Sequence, residues 1–530
     1  MRPVDDYLTR LSTTARSAVP RSDWATVNAC ARDILRKDAS SAEGHFLAGL
    51  VAKAADRSTE ACDAFSKALE LDDERYDAAI ELAYQYSAAR RNADAARLVA
   101  RYEERLANSP LYLNMAGTVY SQVGMPEQAW PLYKKAYELQ PGVDLFQANL
   151  ATCSMFLGRF DEARRLFRKL LDRFPTHQRN HLSLARLAKA TDQSHIREMQ
   201  NVLEQTKLPP DRNIFLYYAL GKEFEDLEEW EEAFRYFKMA GDAVMSVAKY
   251  DIDADLRLID KVIEVCNADW IADHSMDAPA EAAAKTPVFI VGLPRTGTTL
   301  TDRIIASHSK VQSAGETHFV QMVLKRESGI ESEEKMIPDM IAAAAKLPMR
   351  VVGDGYMKML GYRLGQEPYF IDKLPFNILY LGFITKAFPQ AKIVCMRRNP
   401  MDSCFAMYKQ VFTWAYKFSY SLEGLGRFYV AYDRLLQHWQ STIGERLIDV
   451  RYETLVADQE GETRRLLDRL GLPFEEACLH FDRNDSATAT ASSIQVREKI
   501  YTSSVDRWRH YERHLQPLRD YLEDAGIAVE

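Results

Sequence analysis

Small residues recur in this chain with a period that fixes the architecture of its first half. Gly49, Ala83, Gly117, Ala151 and Ala185 stand 34 residues apart, and Ala61, Ala95, Ala129 and Ala163 repeat the spacing. A third, bulkier series runs Phe65, Val99, Tyr133, Phe167. This period suits a pair of helices, and a single pair cannot bury its own apolar face, so successive pairs must stack around a continuous core. Small residues then mark close helix crossings and the large ones fill the gap beside them. Gly124 and Gly158 fall between the helices of their units, and Pro141 and Pro175 close units because proline cannot continue a helix. Gly221, Ala233, Phe237 and Ala240 carry the same offsets into a further unit. Lys189 to Arg212 is degenerate and is expected to hold an atypical helix pair, and residues 1–41 read as an amphipathic cap.

From Ala42 to Asp242 the pattern resembles tetratricopeptide repeats, which implies an all-α superhelical array. Two uses fit such an array: a concave surface that engages a protein or peptide, or support for the rest of the chain, including homodimerisation. The predicted organisation is a repeat domain over 1–245, a helical linker over 246–286 that ends in the small-residue stretch APAEAAAKTP, and a second domain over 287–530.

After Pro287 strand-like runs (VFIV, YFID, KIVCM, LIDVRY) alternate with helix-like ones (Thr298 to Ser307, Asn377 to Phe388, Pro400 to Gln410, Leu422 to Trp439, Thr463 to Leu470). That alternation predicts an α/β domain with a parallel sheet whose ligands sit at the carboxyl ends of the strands. The run PVFIVGLPRTGTTL carries the anatomy of a phosphate-binding loop: a strand, a turn with Gly292 and Gly297, and a helix start whose free N–H groups suit an anion. Thr298 stands where the nucleoside triphosphate loop requires lysine, and a γ-phosphate needs that lysine and magnesium. A nucleotide kinase is therefore disfavoured.

Composition narrows the classes further. A formal net charge of -8 speaks against nucleic-acid binding. The seven cysteines are scattered and never spaced C-x-x-C, so neither a disulfide framework nor a structural zinc site is expected. The first residues, MRPVDDYLTR, lack the apolar stretch of a secretory signal, and no run of roughly 18 apolar residues would span a membrane. A cytoplasmic location is the expectation.

The segments LPRTGTT, SAGETHF, DKLPFN, KIVCMRRNPMDSCFAMY and VREKIYTSSVDRWRHY together, over roughly 287–515, resemble sulfotransferases. The resemblance narrows to bacterial sulfotransferases with a tetratricopeptide array, and to tyrosylprotein sulfotransferase in the catalytic domain. It implies transfer of a sulfuryl group from 3′-phosphoadenosine 5′-phosphosulfate to a hydroxyl, with no metal. The backbone from Arg295 through Thr296, Gly297, Thr298 and Thr299 would grip the donor's 5′ end. Glu316 matches the family's general base, with His318 as rival. Arg295 and Lys373 match the cations that hold sulfonate and leaving oxygens. Arg398 matches the 3′-phosphate arginine, and Tyr452 a tyrosine near the adenosine. Where the family has a serine eight residues after that arginine, this chain has Ala406, and Ser403 is the nearby substitute. The tail, with Ser492, Arg497, Lys499 and Arg507, would close over the donor, and which of the three cations meets phosphate stays open. The expected acceptor is tyrosine of a peptide or protein engaged by the repeats. A glycan or small hydroxylated metabolite is the alternative, and a repeat scaffold with an inactive second domain is the reading of another class.

Overall fold

The computed structural model describes residues 3–273, 285–333, 336–412, 415–484, 486–487 and 494–529. By packing, the chain forms two compact units, Met1–Leu166 and Phe167–Glu530. The expected division at 245/246 follows sequence pattern, whereas packing groups the later repeat helices with the sheet.

Within the first unit, helices Pro3–Ala18 and Trp24–Lys37 precede helix pairs such as Ala42–Ala54 with Ser58–Leu71 and Pro110–Gln122 with Pro126–Leu139. The 34-residue series explain the pairing physically. A Cβ on Gly49 would lie 2.5 Å from the Phe65 ring, and one on Gly117 would lie 2.9 Å from the Tyr133 ring. Each glycine therefore makes room for the aromatic of its own unit. Gly221 and Phe237 repeat the arrangement in the second unit at 2.6 Å.

The second unit includes helices Gln178–Arg186, Ser194–Thr206, Ile214–Asp226 and Trp230–Val247, and the degenerate stretch holds one α-helix, Ser194–Thr206, with a 3₁₀ turn at Pro210–Arg212, in place of the expected pair. The expected linker is helical at Ile252–Val265 and Ala268–Ala272. The sheet follows: β1 (Thr286–Gly292), β2 (Val311–Ser313), β3 (Tyr369–Lys373), β4 (Lys392–Arg397) and β5 (Leu447–Arg451). Its order is β2-β3-β1-β4-β5 and every pairing is parallel. β1, at the centre, is buried from Pro287 on, which is why it reads as an unbroken apolar run rather than an alternating one. The expected helix from Asn377 starts as a tight 3₁₀ stretch, Pro375–Tyr380, and becomes α-helical only at Leu381–Ala387. Helices Phe319–Glu327, Pro338–Ala344 and Met349–Leu360, between β2 and β3, and the terminal Glu512–Asp524 went unread in the sequence. Among the described residues no helix is long and apolar enough to cross a membrane.

Candidate active site

The register brings the chemistry-bearing residues to one end of the sheet. Ile290 pairs with Lys373, Gly292 with Met396, and Arg397 with Arg451, so the loop after β1 stands between the ends of β3 and β4. Gly292, at φ 141°, lies against the β4 backbone, where a Cβ would sit 2.5 Å from the Met396 carbonyl oxygen. Gly297, at φ 99°, leaves room for the Tyr452 ring, which a Cβ would approach to 2.6 Å. Both glycines are thus required twice, by dihedral and by space. Arg295 is left-handed at φ 68°, and the Thr296 hydroxyl braces the turn by donating to the Leu293 carbonyl at 2.7 Å. Helix Thr298–Ala306 follows with no side-chain cap at Gly297, the kind of helix start that suits an anion, and the Thr298 and Thr299 side chains there are buried.

Lys373 and Glu316 form an ion pair at the ends of β3 and β2. Lys373 is 1% exposed and Glu316 38%, so a buried cation holds a carboxylate that faces the open side. The Lys373 amide donates to the Gly315 carbonyl at 2.9 Å, which fixes the two segments to one another. Beneath the pair lies Asp302, from the loop helix. Burial raises its pKa while Lys373 opposes the rise, and its Oδ1 has no hydrogen-bond partner. Asp372, the neighbour of Lys373, is fully buried, and its carboxylate accepts from the hydroxyls of Thr317 and Tyr356. Burial lifts it to about 6. His318 is exposed at the start of helix Phe319–Glu327.

Tyr416, close enough for the Glu316 charge to act on it, belongs to an aromatic cluster. Phe376 meets Tyr416 edge-on at 4.5 Å between ring centres and lies parallel to Phe428 at 5.7 Å; Phe412 meets Tyr416 at 4.9 Å. Burial raises the Tyr416 hydroxyl's pKa, and the Glu316 charge raises it further.

On the other flank Arg398 donates to the Arg295 carbonyl at 3.2 Å and to the Ser504 carbonyl, and it lies 4.7 Å over the Tyr452 ring. Its Nε is buried with no hydrogen-bond partner, a donor left over for an anion. Ser403 is fully buried and donates to the Arg398 carbonyl at 3.3 Å, while Ala406 is half-buried on the same helix, Pro400–Tyr408. The Tyr452 hydroxyl bonds Ser504 Oγ at 2.6 Å.

The tail does meet the loop, but not through the expected cations. Gln495 accepts from Arg295 at 2.7 Å, and Ser504 serves Arg398 and Tyr452. Arg497 donates to the Ser486 carbonyl at 3.0 Å, and Lys499 lines a separate cavity with His480 and Arg483. Arg507 donates to Glu225 at 3.3 Å. Ser492 lies outside the described residues. Glu225, from helix Ile214–Asp226 of the repeats, also receives Lys409 at 2.6 Å and the Tyr511 hydroxyl at 3.0 Å. Burial opposes its ionisation, but Lys409 and Arg507 hold its pKa below the ordinary carboxylate value. Arg186, on helix Gln178–Arg186, is half-buried and close enough for Arg295 to act on it. Burial pushes its guanidinium down to about 10, and Arg295 adds to that. Among the described residues its side chain has no hydrogen-bond or ion-pair partner.

This is an α/β domain with an uncapped anion loop at the centre of a parallel sheet and a lysine–glutamate pair beside it. Residues 287–476 match the model of the sulfotransferase family, and residues 122–188 match a tetratricopeptide repeat. The chain therefore carries a sulfotransferase-family domain behind tetratricopeptide repeats. It is 29% identical over 349 residues to an uncharacterized protein of Aquifex aeolicus, covering 64% of this chain and 45% of that protein. It is 26% identical over 233 residues to protein-tyrosine sulfotransferase 1 of Danio rerio, covering 42% of this chain and 65% of that one. The human protein-tyrosine sulfotransferase 1 is 25% identical over 231 residues, with 42% and 62% covered. The chain thus spans between about half and two thirds of the length of these relatives. Among solved structures, the sulfotransferase domain of the Synechococcus PCC 7002 olefin synthase is 21% identical with a TM-score of 0.33, covering 45% of this chain and 95% of that domain.

Proposed function

We propose that this protein transfers a sulfuryl group from 3′-phosphoadenosine 5′-phosphosulfate to the phenolic hydroxyl of a tyrosine in a peptide or protein. The observation that carries the reading is the placement of the Lys373–Glu316 pair beside a helix start that has no cap of its own. The donor's 5′-phosphate would take the N–H groups from Gly297 to Thr299, and its 3′-phosphate would take Arg398 in exchange for the carbonyls that hold it now, with the buried Asp402 carboxylate 3.7 Å from the guanidinium. The orphaned Nε of Arg398 fits that use. Arg295 would meet the sulfonate oxygens. Glu316 accepts the phenolic proton as the phenol oxygen attacks sulfur. The bond from sulfur to the bridging oxygen breaks, and Lys373 meets the charge left on the phosphate. The cluster of Phe376, Phe412 and Tyr416, whose tyrosine feels the Glu316 charge, suits a flat aromatic acceptor, and curated relatives bear the name protein-tyrosine sulfotransferase.

Thermal shift and transfer assays test the reading together. Adenosine 3′,5′-bisphosphate is expected to raise the melting temperature without magnesium, and ATP is not. Glu316→Gln is expected to keep that shift and lose transfer of labelled sulfate to a tyrosine peptide. No shift with the bisphosphate overturns the donor assignment. Labelling of glycans but not of tyrosine peptides in a lysate overturns the acceptor.

A further inference from the structure

Within the second compact unit, far along the chain from the loop, two buried histidines face one another in the repeat helices. His181 lies on helix Gln178–Arg186, and His195 begins the Ser194–Thr206 helix. His181 Nδ1 and His195 Nε2 are 2.9 Å apart, with the rings inclined at 25°. The outward nitrogen of each ring meets an acceptor. His181 Nε2 lies 2.7 Å from the Pro175 carbonyl oxygen, which can only accept, and His195 Nδ1 lies 2.6 Å from Glu223 Oε1. With both outward nitrogens donating, the two inward nitrogens present lone pairs to each other. Two lone pairs at this distance repel unless a cation lies between them.

Three features favour a metal ion over a shared proton. Glu198 stands three residues after His195, one turn along the same helix face, and a ligand atom from each of His181, His195 and Glu198 lies within 4.8 Å of the other two. Both histidines carry outer partners, a backbone carbonyl and a carboxylate, of the kind that fix the tautomer of metal-binding imidazoles. Glu223 is buried, and its second oxygen has no hydrogen-bond partner, so a dication held by the histidines would give that carboxyl a nearby counter-charge. The cation that faces the cluster is Arg168, 2.7 Å from Glu198 Oε2, and it sits on the exposed rim.

We propose that His181 Nδ1, His195 Nε2 and Glu198 form a binding site for a divalent transition metal of the zinc class. Imidazole nitrogens with one carboxylate suit zinc in four-coordinate geometry, where bonds of about 2.0–2.1 Å place ligand atoms roughly 3.3 Å apart. The nitrogens need to open by only a few tenths of an ångström, and a water completes the set. The seven cysteines take no part, so no cysteine spacing announces the site. The ion would staple the Gln178–Arg186 helix to the Ser194–Thr206 helix, and the first of these carries Arg186 to its place near the loop.

The test uses the full chain. Elemental analysis of protein dialysed against zinc is expected to return one equivalent. Chelator treatment is expected to lower the melting temperature, with zinc restoring it and magnesium not. Cobalt in place of zinc is expected to give the visible absorption of a four-coordinate site. His195→Gln is expected to abolish all three responses. Because that residue is buried, Glu198→Gln provides an exposed variant that leaves the core intact, with zinc affinity expected to fall at least tenfold. Absence of bound zinc in the wild-type chain overturns the proposal, as does a melting temperature indifferent to zinc, and both would assign the pair a shared proton. Zinc binding unaffected by either substitution also overturns it.

Discussion

Asp372 bears a cost that its neighbour Lys373 does not relieve. Its carboxylate accepts two hydroxyl hydrogen bonds at Oδ2 and none at Oδ1, and burial lifts its pKa from 3.8 to about 6. The folded chain therefore holds a proton that the unfolded chain has released, so stability falls as pH rises from about 4 to about 6 and is flat above that window. A shift of about two units corresponds to about 3 kcal/mol. Asp372→Asn keeps the shape without the charge. Urea denaturation at a series of pH values is expected to show the variant gaining on the wild type across this window, whereas parallel curves would refute the assignment. Residues of this kind separate what the sequence discloses from what it hides. Arg295 was legible in the loop after β1, and Lys373 and Arg398 because they stand where β3 and β4 end, whereas Glu316 was singled out only by the resemblance of its AGET segment. Asp302 was not, because an acid in a loop helix has nothing in its neighbours to show that it points inward beneath Lys373.

Glu225 belongs to the segment EFEDLEEWEE, which reads as a solvated acidic face. Only the fold shows that this one carboxylate turns inward to Lys409, Arg507 and Tyr511, residues 184 to 286 positions further along the chain. Taking away one member of such a buried set strands the others without a counter-charge, at about 3–5 kcal/mol. Glu225→Gln is expected to destabilise the second unit by about that amount, read as a lower denaturation midpoint, and Leu71→Gln on an exposed repeat position serves as the control. Four of the five strands were recovered from their apolar runs, since buried parallel strands need no alternation, while β2, only three residues long and half-buried after Val311, was missed. The helices between Phe319 and Leu360 were missed for the opposite reason. They are short, and none begins with a side-chain cap that would mark its start.

The same inward turn ties the later repeat helices to the sheet within the second compact unit. The Gln178–Arg186 helix brings to the loop's vicinity a guanidinium with no ion-pair partner among the described residues. A cation so placed has an acceptor's anionic group as its natural counterpart. Arg186→Gln is expected to raise KM for a peptide acceptor severalfold while the melting shift with adenosine bisphosphate stays unchanged. A loss of the shift instead would place Arg186 with the donor. In the sequence Arg186 is one arginine among many, and the 34-residue period draws attention to its small neighbour Ala185 instead.

Recombination between proteins of this build has a natural seam, and the carboxylate at Glu225 says where it is not. A chimera joined after the last recognisable repeat would bring Lys409 and Arg507 into a foreign partner with no acid to receive them. The helices from Gln178 on, the one carrying Glu225 among them, travel with the sheet.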